Sequence, residues 1–86
     1  MNHRGKRIII VEDFQRDRDF LENFLSKNGY EVVSVRDGIE ALEKLRSAAF
    51  DLIISDVLMP RMDGFQLCRE VKTDEKLKAI PFVFYT

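Results

Sequence analysis

The sequence predicts an α/β protein built on a doubly wound parallel sheet, and three observations lead to that prediction. Short runs of branched apolar residues, the first at positions 8–11, are typical of strands buried on both faces. Segments in which apolar residues recur at helical spacing separate these runs. The resulting order, strand-helix-strand-helix-strand-helix-strand, implies parallel strands joined by right-handed crossovers.

The first predicted helix spans residues 14–28. Its apolar residues recur on one face, while charged residues occupy most of the other positions. The apolar stripe consists of Phe20, Leu21, Phe24 and Leu25. Asn28 and Gly29 then provide the stop expected at a helix C-terminus, because glycine adopts the left-handed conformation without strain.

The second strand–helix pair occupies residues 30–45. Residues 30–35, with the sequence YEVVSV, are predicted to form a strand. Asp37 is the expected N-cap of the helix that follows, and Glu40 stands in the capping-box position. The apolar stripe of this helix consists of Ile39, Leu42 and Leu45.

The second half of the chain continues the alternation. DLIISD at residues 51–56 predicts a third strand buried on both faces, and residues 64–73 predict a third helix. The inward residues of that helix are Phe65, Leu67, Cys68 and Val71. Residues 80–86 close the chain as a fourth strand, with Pro81 at its start. We find no repeat or linker, so residues 1–86 form one domain in which residues 1–5 are expected to be disordered.

Composition and charge exclude several classes of protein. A chain with 45% hydrophobic and 34% charged residues is globular. Its 14 basic and 15 acidic residues give a net charge of -1, so we expect no direct contact with nucleic acid. The single Cys68 excludes an internal disulfide and fits a reducing compartment. No apolar stretch approaches the roughly 20 residues of a membrane span. We therefore expect a cytoplasmic protein without membrane contact.

Carboxylates follow two of the predicted strands at the same edge of the sheet. Glu12 and Asp13 come directly after the first strand, and Asp56 ends the third. Ligands of open α/β sheets bind outside the carboxyl ends of the strands, at the topological switch point. If the two strands are neighbours, three acids converge there, and a hard divalent cation relieves their repulsion. Magnesium takes such oxygen ligands, whereas the absence of nearby His or Cys disfavours zinc.

The same acids also have an ordinary structural interpretation. An aspartate at the end of a strand is commonly a helix cap or a turn former. A pair of acids after one strand and a further acid after another is harder to explain in this way. The pattern alone leaves the metal site and the structural interpretation both open.

Three segments resemble the motif segments of the receiver domain of bacterial response regulators. They are IIIVEDF, LIISDVLMPRMDGFQL and IPFVFYT, and they occur in the order of that family. The resemblance covers essentially the whole chain from residue 6 to residue 86, and the central segment is the most specific. It implies a flavodoxin-like sheet with strand order 2-1-3-4 and a function in two-component phosphorelay signalling.

The resemblance also implies roles for individual residues. Asp56 would accept a phosphoryl group from the phosphohistidine of a sensor histidine kinase or phosphotransfer protein. Mg²⁺ would be held by the carboxylates of Asp13 and Asp56. Glu12 would hold the metal or a metal-bound water, and Leu58 would offer its backbone carbonyl. Thr86 would donate its hydroxyl to the phosphoryl oxygens and move on switching. Such a domain is a phosphoacceptor module and not an enzyme, apart from self-phosphorylation and self-dephosphorylation.

The family pattern continues beyond the end of this sequence, with a fourth helix, a fifth strand ending in lysine, and a fifth helix. The resemblance therefore implies a receiver truncated after the fourth strand, without the lysine that pairs with the phosphoryl group. The fourth strand would then be an apolar edge that invites pairing with another chain. We expect the chain to self-associate through this edge, which consists of Phe82, Val83, Phe84 and Tyr85.

Two other functions stay open at this point. A receiver-like docking module that no longer accepts phosphate fits the absence of the lysine. A phosphohydrolase with an aspartate nucleophile would also place that residue at a strand end beside magnesium. Such hydrolases usually carry a second aspartate two residues later as general acid. This sequence has Leu58 there, which argues against turnover.

Overall fold

A computed structural model describes residues 5–85, and the order of its elements is the predicted one. The strands are β1 (Arg7–Val11), β2 (Glu31–Val35), β3 (Leu52–Asp56) and β4 (Phe82–Tyr85). The helices are α1 (Gln15–Lys27), α2 (Gly38–Ser47) and α3 (Gly64–Lys72). The predicted disorder concerns residues 1–5, of which 1–4 lie outside the described residues. Thr86 and its predicted contact with a phosphoryl group lie outside them as well.

The strands form a parallel sheet in the order β2-β1-β3-β4, which confirms the predicted topology. β1 is central and is buried on both faces, with Ile8 to Val11 at most 2% exposed. β3 alternates instead: Ile53 and Ser55 are buried, while Leu52 and Ile54 are only half-buried. The prediction that β3 is buried on both faces is therefore wrong. The reason is that α1 packs chiefly against β2 and β1, which leaves the same face of β3 less covered.

The main core lies between the sheet and helices α2 and α3. Its largest fully buried side chains on the sheet include Ile9, Val11, Val35 and Ile53. From the helices it takes Ala41, Leu42, Leu45, Leu67 and Val71. Alternate residues of a strand point to opposite faces, so Ile8 and Ile10 of β1 face the side where α1 packs. The site described below lies at the carboxyl edge of this three-layer arrangement.

The predicted apolar stripes are only partly buried. In α1, Leu21 and Leu25 are half-buried, whereas Phe20 and Phe24 are 65% and 56% exposed. Ile39 in α2 and Phe65 in α3 are also exposed, and Cys68 is half-buried. Helical spacing identified these helices correctly. The spacing did not predict how each helix is oriented on the sheet. That orientation determines whether the residues at the margins of an apolar stripe are buried.

Capping bonds confirm two of the predicted helix boundaries, the start of α2 and the end of α1, whereas α2 continues to Ser47, two residues beyond the predicted end. Asp37 Oδ1 accepts the Glu40 N–H at 2.9 Å, as expected for an N-cap. Glu40 Oε1 accepts the Arg36 N–H at 3.0 Å. In a capping box this side chain would accept the N–H of the cap residue itself, so here the donor is the residue before the cap. At the end of α1, Gly29 has φ 93° and donates its N–H to the Ser26 carbonyl.

Within residues 5–85, no helix is long and apolar enough to cross a membrane.

Candidate metal and phosphoacceptor site

The carboxyl ends of β1 and β3 lie side by side because the two strands pair in parallel, with Val11 opposite Ser55. Glu12 and Asp13 directly follow β1, and Asp56 is the last residue of β3. One carboxylate oxygen from each of these acids lies within 4.8 Å of the other two. The strand pairing therefore brings together the three acids that the sequence singled out.

Glu12 is the buried acid of the group, with 3% of its surface exposed. Its backbone N–H donates to the Val35 carbonyl of β2 at 3.0 Å, and its side-chain Oε2 accepts the Phe14 N–H at 3.0 Å. Burial raises the pKa of the Glu12 carboxyl above its ordinary value, and the nearby charges of Asp56 and Asp13 raise it further. The Phe14 N–H acts in the opposite direction but does not outweigh the burial.

Asp13 is exposed, and the loop that carries it is held by the first helix. Arg18 of α1 donates from Nη1 to the carbonyl of Glu12 at 2.8 Å and to that of Asp13 at 3.3 Å. These bonds fix the backbone that presents both acids. Arg18 is not among the site residues that the sequence pattern predicted. A usable signal was its position near the N-terminus of a helix, where a positive charge is disfavoured by the helix dipole unless it has another partner.

Asp56 is half-buried and is oriented by its own backbone surroundings. Its Oδ1 accepts the Val57 N–H at 2.7 Å, and its carbonyl accepts the Ser55 hydroxyl at 2.8 Å. Both contacts come from neighbours in sequence, so they hold the end of β3 in one conformation. The carboxylate is therefore oriented at the end of β3, where it lies beside Glu12 and Asp13.

The loop from residue 57 to residue 63 returns the chain from β3 into α3. It is closed by a hydrogen bond of 2.7 Å from the Gly64 N–H to the Val57 carbonyl. A Cβ at position 64 would overlap the Asp56 carbonyl oxygen and lie 3.0 Å from Val57 Cα. Glycine is thus required here by close backbone approach and not by a special turn conformation. Asp63 then caps α3 by accepting the Gln66 N–H at 2.8 Å.

Leu58 lies in this loop, two residues after Asp56, and its side chain points away from the core. The residue is 79% exposed, the largest value among the exposed large hydrophobic residues of the described chain. A side chain with so little packing does not explain the choice of leucine. The arrangement is compatible with the predicted use of its backbone carbonyl, for which the side chain is not needed.

The donor set of the site suits magnesium. All three side chains offer oxygen, the ligand type that this ion prefers. Ligand atoms at about 2.1 Å from the ion lie at most about 4.2 Å apart across it. Oxygens within 4.8 Å of one another therefore reach this geometry with a small closure, or with a water molecule between one carboxylate and the ion. The residues of the site fit the metal that was predicted.

The chain matches the family described as response regulator receiver domain over residues 8–86. Among curated relatives, transcriptional regulatory protein GltR of Pseudomonas aeruginosa is 36% identical over 86 residues, which are 100% of this chain and 36% of the relative. Response regulator MprA of Mycobacterium tuberculosis is 42% identical over 66 residues, which are 77% of this chain and 29% of the relative. The chain thus spans only about a third of the length of these curated relatives.

Solved structures show the same similarity. The receiver domain of a signal transduction histidine kinase from Syntrophus aciditrophicus has a TM-score of 0.92 and 44% identity, covering 95% of this chain and 62% of that one. The receiver domain of the sensor histidine kinase PA1611 from Pseudomonas aeruginosa has a TM-score of 0.91 and 32% identity, covering 95% and 67%. That structure has a magnesium ion coordinated in its active site cleft.

The sheet order, the acids at the strand ends and the match over residues 8–86 agree with one another. The chain belongs to the response regulator receiver domain family, whose members are signalling modules of two-component phosphorelays.

Proposed function

We propose that this chain is a phosphoacceptor receiver in which Asp56 takes a phosphoryl group from a phosphohistidine in the presence of Mg²⁺. The proposal rests chiefly on one observation, the convergence of Glu12, Asp13 and Asp56 within 4.8 Å at the carboxyl edge of the sheet. A nucleophilic carboxylate at a strand end, with two further acids beside it, is the arrangement that phosphoryl transfer through a divalent cation requires.

The transfer is a displacement at phosphorus. An oxygen of the Asp56 carboxylate forms a bond to the phosphorus, and the bond from phosphorus to the imidazole nitrogen of the donor breaks. The electron pair of that bond returns to the imidazole, and Asp56 becomes an acyl phosphate. The Val57 N–H fixes Asp56 Oδ1, so the carboxylate does not have to be oriented during the reaction.

The residues that would hold the metal are Glu12, Asp13, Asp56 and the backbone carbonyl of Leu58. When bound, Mg²⁺ supplies charge neutralisation for the transferring phosphoryl group. Without it, Glu12 and Asp13 present negative charge to an incoming phosphate. Thr86 is proposed to donate its hydroxyl to the phosphoryl oxygens.

The phosphoryl donor is proposed to be a sensor histidine kinase or a phosphotransfer protein. The relatives include response regulators and receiver domains of histidine kinases, which supports a donor from a two-component system. We propose a cytoplasmic module that makes no direct contact with nucleic acid or membrane. We propose further that it performs no catalysis beyond its own phosphorylation and dephosphorylation.

The test is phosphorylation by a small donor. The purified chain is incubated with MgCl₂ and acetyl phosphate, and intact mass and peptide mapping follow the adduct. We expect one base-labile adduct on Asp56, lost in Asp56→Asn and in EDTA but retained in Asp19→Asn. Asp19 is a matched control because it is an exposed aspartate of α1. Continuous release of phosphate would instead support a phosphohydrolase, and no reaction at all would support a docking module.

We also propose that the 86-residue chain self-associates through β4. This strand is at the edge of the sheet next to β3, and its outer side carries no strand partner within residues 5–85. Val83 and Phe84 are 48% and 38% exposed, while Phe82 and Tyr85 are half-buried. An apolar edge strand with unpaired backbone groups favours pairing with a second copy.

A further inference from the structure

The loop between β3 and α3 is attached to the beginning of α2 by a charged contact. The Arg61 guanidinium forms an ion pair with Asp37 Oδ2. Asp37 is only 2% exposed, and its other oxygen accepts the Glu40 N–H that begins α2. Both oxygens of this buried carboxylate are therefore used, one for the helix cap and one for the loop.

Arg61 has an unfavourable backbone conformation at the centre of a tight turn, in which the Met62 N–H donates to the Pro60 carbonyl. Its φ of 67° places it in the left-handed region, and among the described residues it is the only non-glycine residue with positive φ. Such a conformation is unfavourable for a residue with a Cβ. A glycine would adopt this φ without strain but would offer no cation to Asp37.

A second contact joins the same loop to the same end of α2. Met62 packs directly on Gly38, where an added Cβ would lie 2.7 Å from Met62 Sδ and 2.9 Å from Met62 Cγ. The Met62 side chain thus occupies the space that any other residue at position 38 would need. Neighbouring residues of the loop, Arg61 and Met62, are held by neighbouring residues of the helix start, Asp37 and Gly38.

These contacts border the acidic site. Asp13, Arg36, Asp37, Pro60 and Arg61 line one crevice at this edge of the sheet. The ends of the loop are held by Val57, whose N–H and carbonyl are both bonded, and by Asp63, which caps α3. Leu58, whose carbonyl is the proposed metal ligand, lies between Val57 and the anchored pair Arg61–Met62. Magnesium accepts little deviation from octahedral geometry, so the position of a loop carbonyl determines how well it binds.

We infer that Arg61 and Asp37 are positioning residues for the metal site: their ion pair clamps the loop so that the Leu58 carbonyl meets the ion. This inference rests on the proposed function, because it concerns the same magnesium site. It assigns to Asp37 a second role beyond capping α2. We call the pair the Arg61–Asp37 clamp.

The test compares magnesium affinity in variants of the clamp by calorimetric titration with MgCl₂ alone. Arg61→Asn removes the cation but tolerates the left-handed conformation. Asp37→Asn removes the charge but keeps a good N-cap. We expect each to weaken magnesium binding about tenfold, as for other residues that orient metal ligands. The double variant should be no weaker than the single ones, because the pair acts as a unit. Arg61→Lys should retain most of the affinity.

The matched control is Arg46→Asn, which removes the ion pair with Asp74 at the other end of α2. It should leave magnesium affinity unchanged. A second readout, hydrogen exchange in metal-free protein, is independent of binding. The Met62 N–H, which donates to the Pro60 carbonyl at 2.7 Å, should exchange faster in Arg61→Asn, while the Ile9 N–H of the central strand should not. This pattern separates loosening of the loop from a general loss of stability.

The possible outcomes distinguish a failure of the proposed function from a failure of the inference about the clamp. If the wild-type chain binds no magnesium, the proposed function fails and the inference fails with it. If the wild type binds magnesium and the clamp variants bind it equally well, the inference alone is overturned. An equal loss of affinity in Arg46→Asn, or an equal rise of exchange at Ile9, would also overturn it, because the effect would then be global.

Discussion

Of the three acids of the site, Glu12 is the one whose charge is most disfavoured by burial. It is buried, whereas Asp13 is exposed and Asp56 is half-buried. The pKa of its carboxyl is raised in the folded chain, first by burial and then by Asp56 and Asp13. A raised pKa means that the folded state holds this proton more tightly than the unfolded state. The free energy of unfolding therefore falls as pH rises from the ordinary pKa of a glutamate through the folded value. Above the folded pKa of Glu12, the chain is destabilised by the full effect of the buried charge.

Glu12→Gln should therefore stabilise the metal-free chain at neutral pH. Glutamine retains an oxygen that can accept the Phe14 N–H, and it removes a buried charge. Melting temperatures measured in EDTA from acidic to neutral pH should show a difference that grows with pH. The two proteins should converge at low pH, where the carboxyl is protonated in both states. A variant that melts below the wild type at neutral pH would contradict the electrostatic argument.

Asp13→Ala should distinguish the contribution of Asp13 to metal binding from its repulsion of the other two carboxylates. Removing a proposed ligand should weaken magnesium binding by about tenfold or more. In EDTA the same variant should melt above the wild type, because one of three mutually repelling charges is gone. Calorimetric titration and thermal melts check the two halves, with Asp19→Ala as the control. Unchanged magnesium affinity would show that Asp13 is not a ligand, and a lower melting temperature would argue against convergence of the acids.

At the scale of the elements, the site depends on the loop that connects β3 to α3. The loop from residue 57 to residue 63 is compact because Gly64 lets two stretches of backbone approach each other. Its N–H bond to the Val57 carbonyl closes the loop directly behind Asp56. The Asp63 cap then begins α3 at once. The position of the proposed Leu58 ligand is thus a property of the whole loop.

Gly64→Ala should destabilise the chain by about 1–3 kcal/mol, the usual cost of forcing an extra group into a packed region. The added Cβ meets backbone atoms of Asp56 and Val57, which cannot move without shifting the end of β3. Gly38→Ala is the comparison, because the three atoms nearest to its Cβ belong to the side chain of Met62 and not to backbone. Urea denaturation should show the larger loss for position 64. Equal losses would show that the backbone contact does not constrain the loop.

At the scale of the whole molecule, the sheet is covered unevenly. The face under α2 and α3 carries the main core, while α1 covers only the side of β2 and β1 on the other face. Phe20 and Phe24 of α1 stack on each other at 6.4 Å and are exposed, as is Val83 of β4. Within residues 5–85, the outer strip of α1 and the edge strand β4 are therefore separate exposed apolar surfaces.

The proposed self-association should depend on β4 and not on α1. Light scattering at tens of micromolar should show an assembly larger than a monomer for the wild-type chain. Val83→Glu should shift it towards monomer, because a charge on an edge strand opposes strand pairing. Phe20→Glu tests the other apolar surface and should leave the assembly intact. A strictly monomeric wild type would refute the proposal, and dissociation by Phe20→Glu alone would move the interface to α1.

Local patterns in the sequence were enough for the order of the elements and for the residues at their ends. Runs of branched apolar residues indicate strands, and helical spacing indicates helices, because both reflect contacts within a few residues. The Asp37 cap and the Gly29 stop are equally local, since each satisfies backbone groups of its own helix end. The acids after β1 and β3 were identified as candidates from the same kind of pattern.

Tertiary packing determines which of these residues come into contact. The pairing of β1 with β3 brings the ligand oxygens of the three acids within 4.8 Å of one another, and the orientation of α1 leaves Phe20 and Phe24 exposed. The close approach at Gly64 likewise joins the start of α3 to the end of β3. The ion pair of Arg61 with Asp37 joins the loop before α3 to the start of α2. Such contacts depend on strand register and helix orientation, which arise from the packing of the whole chain and leave no periodic signal in the sequence.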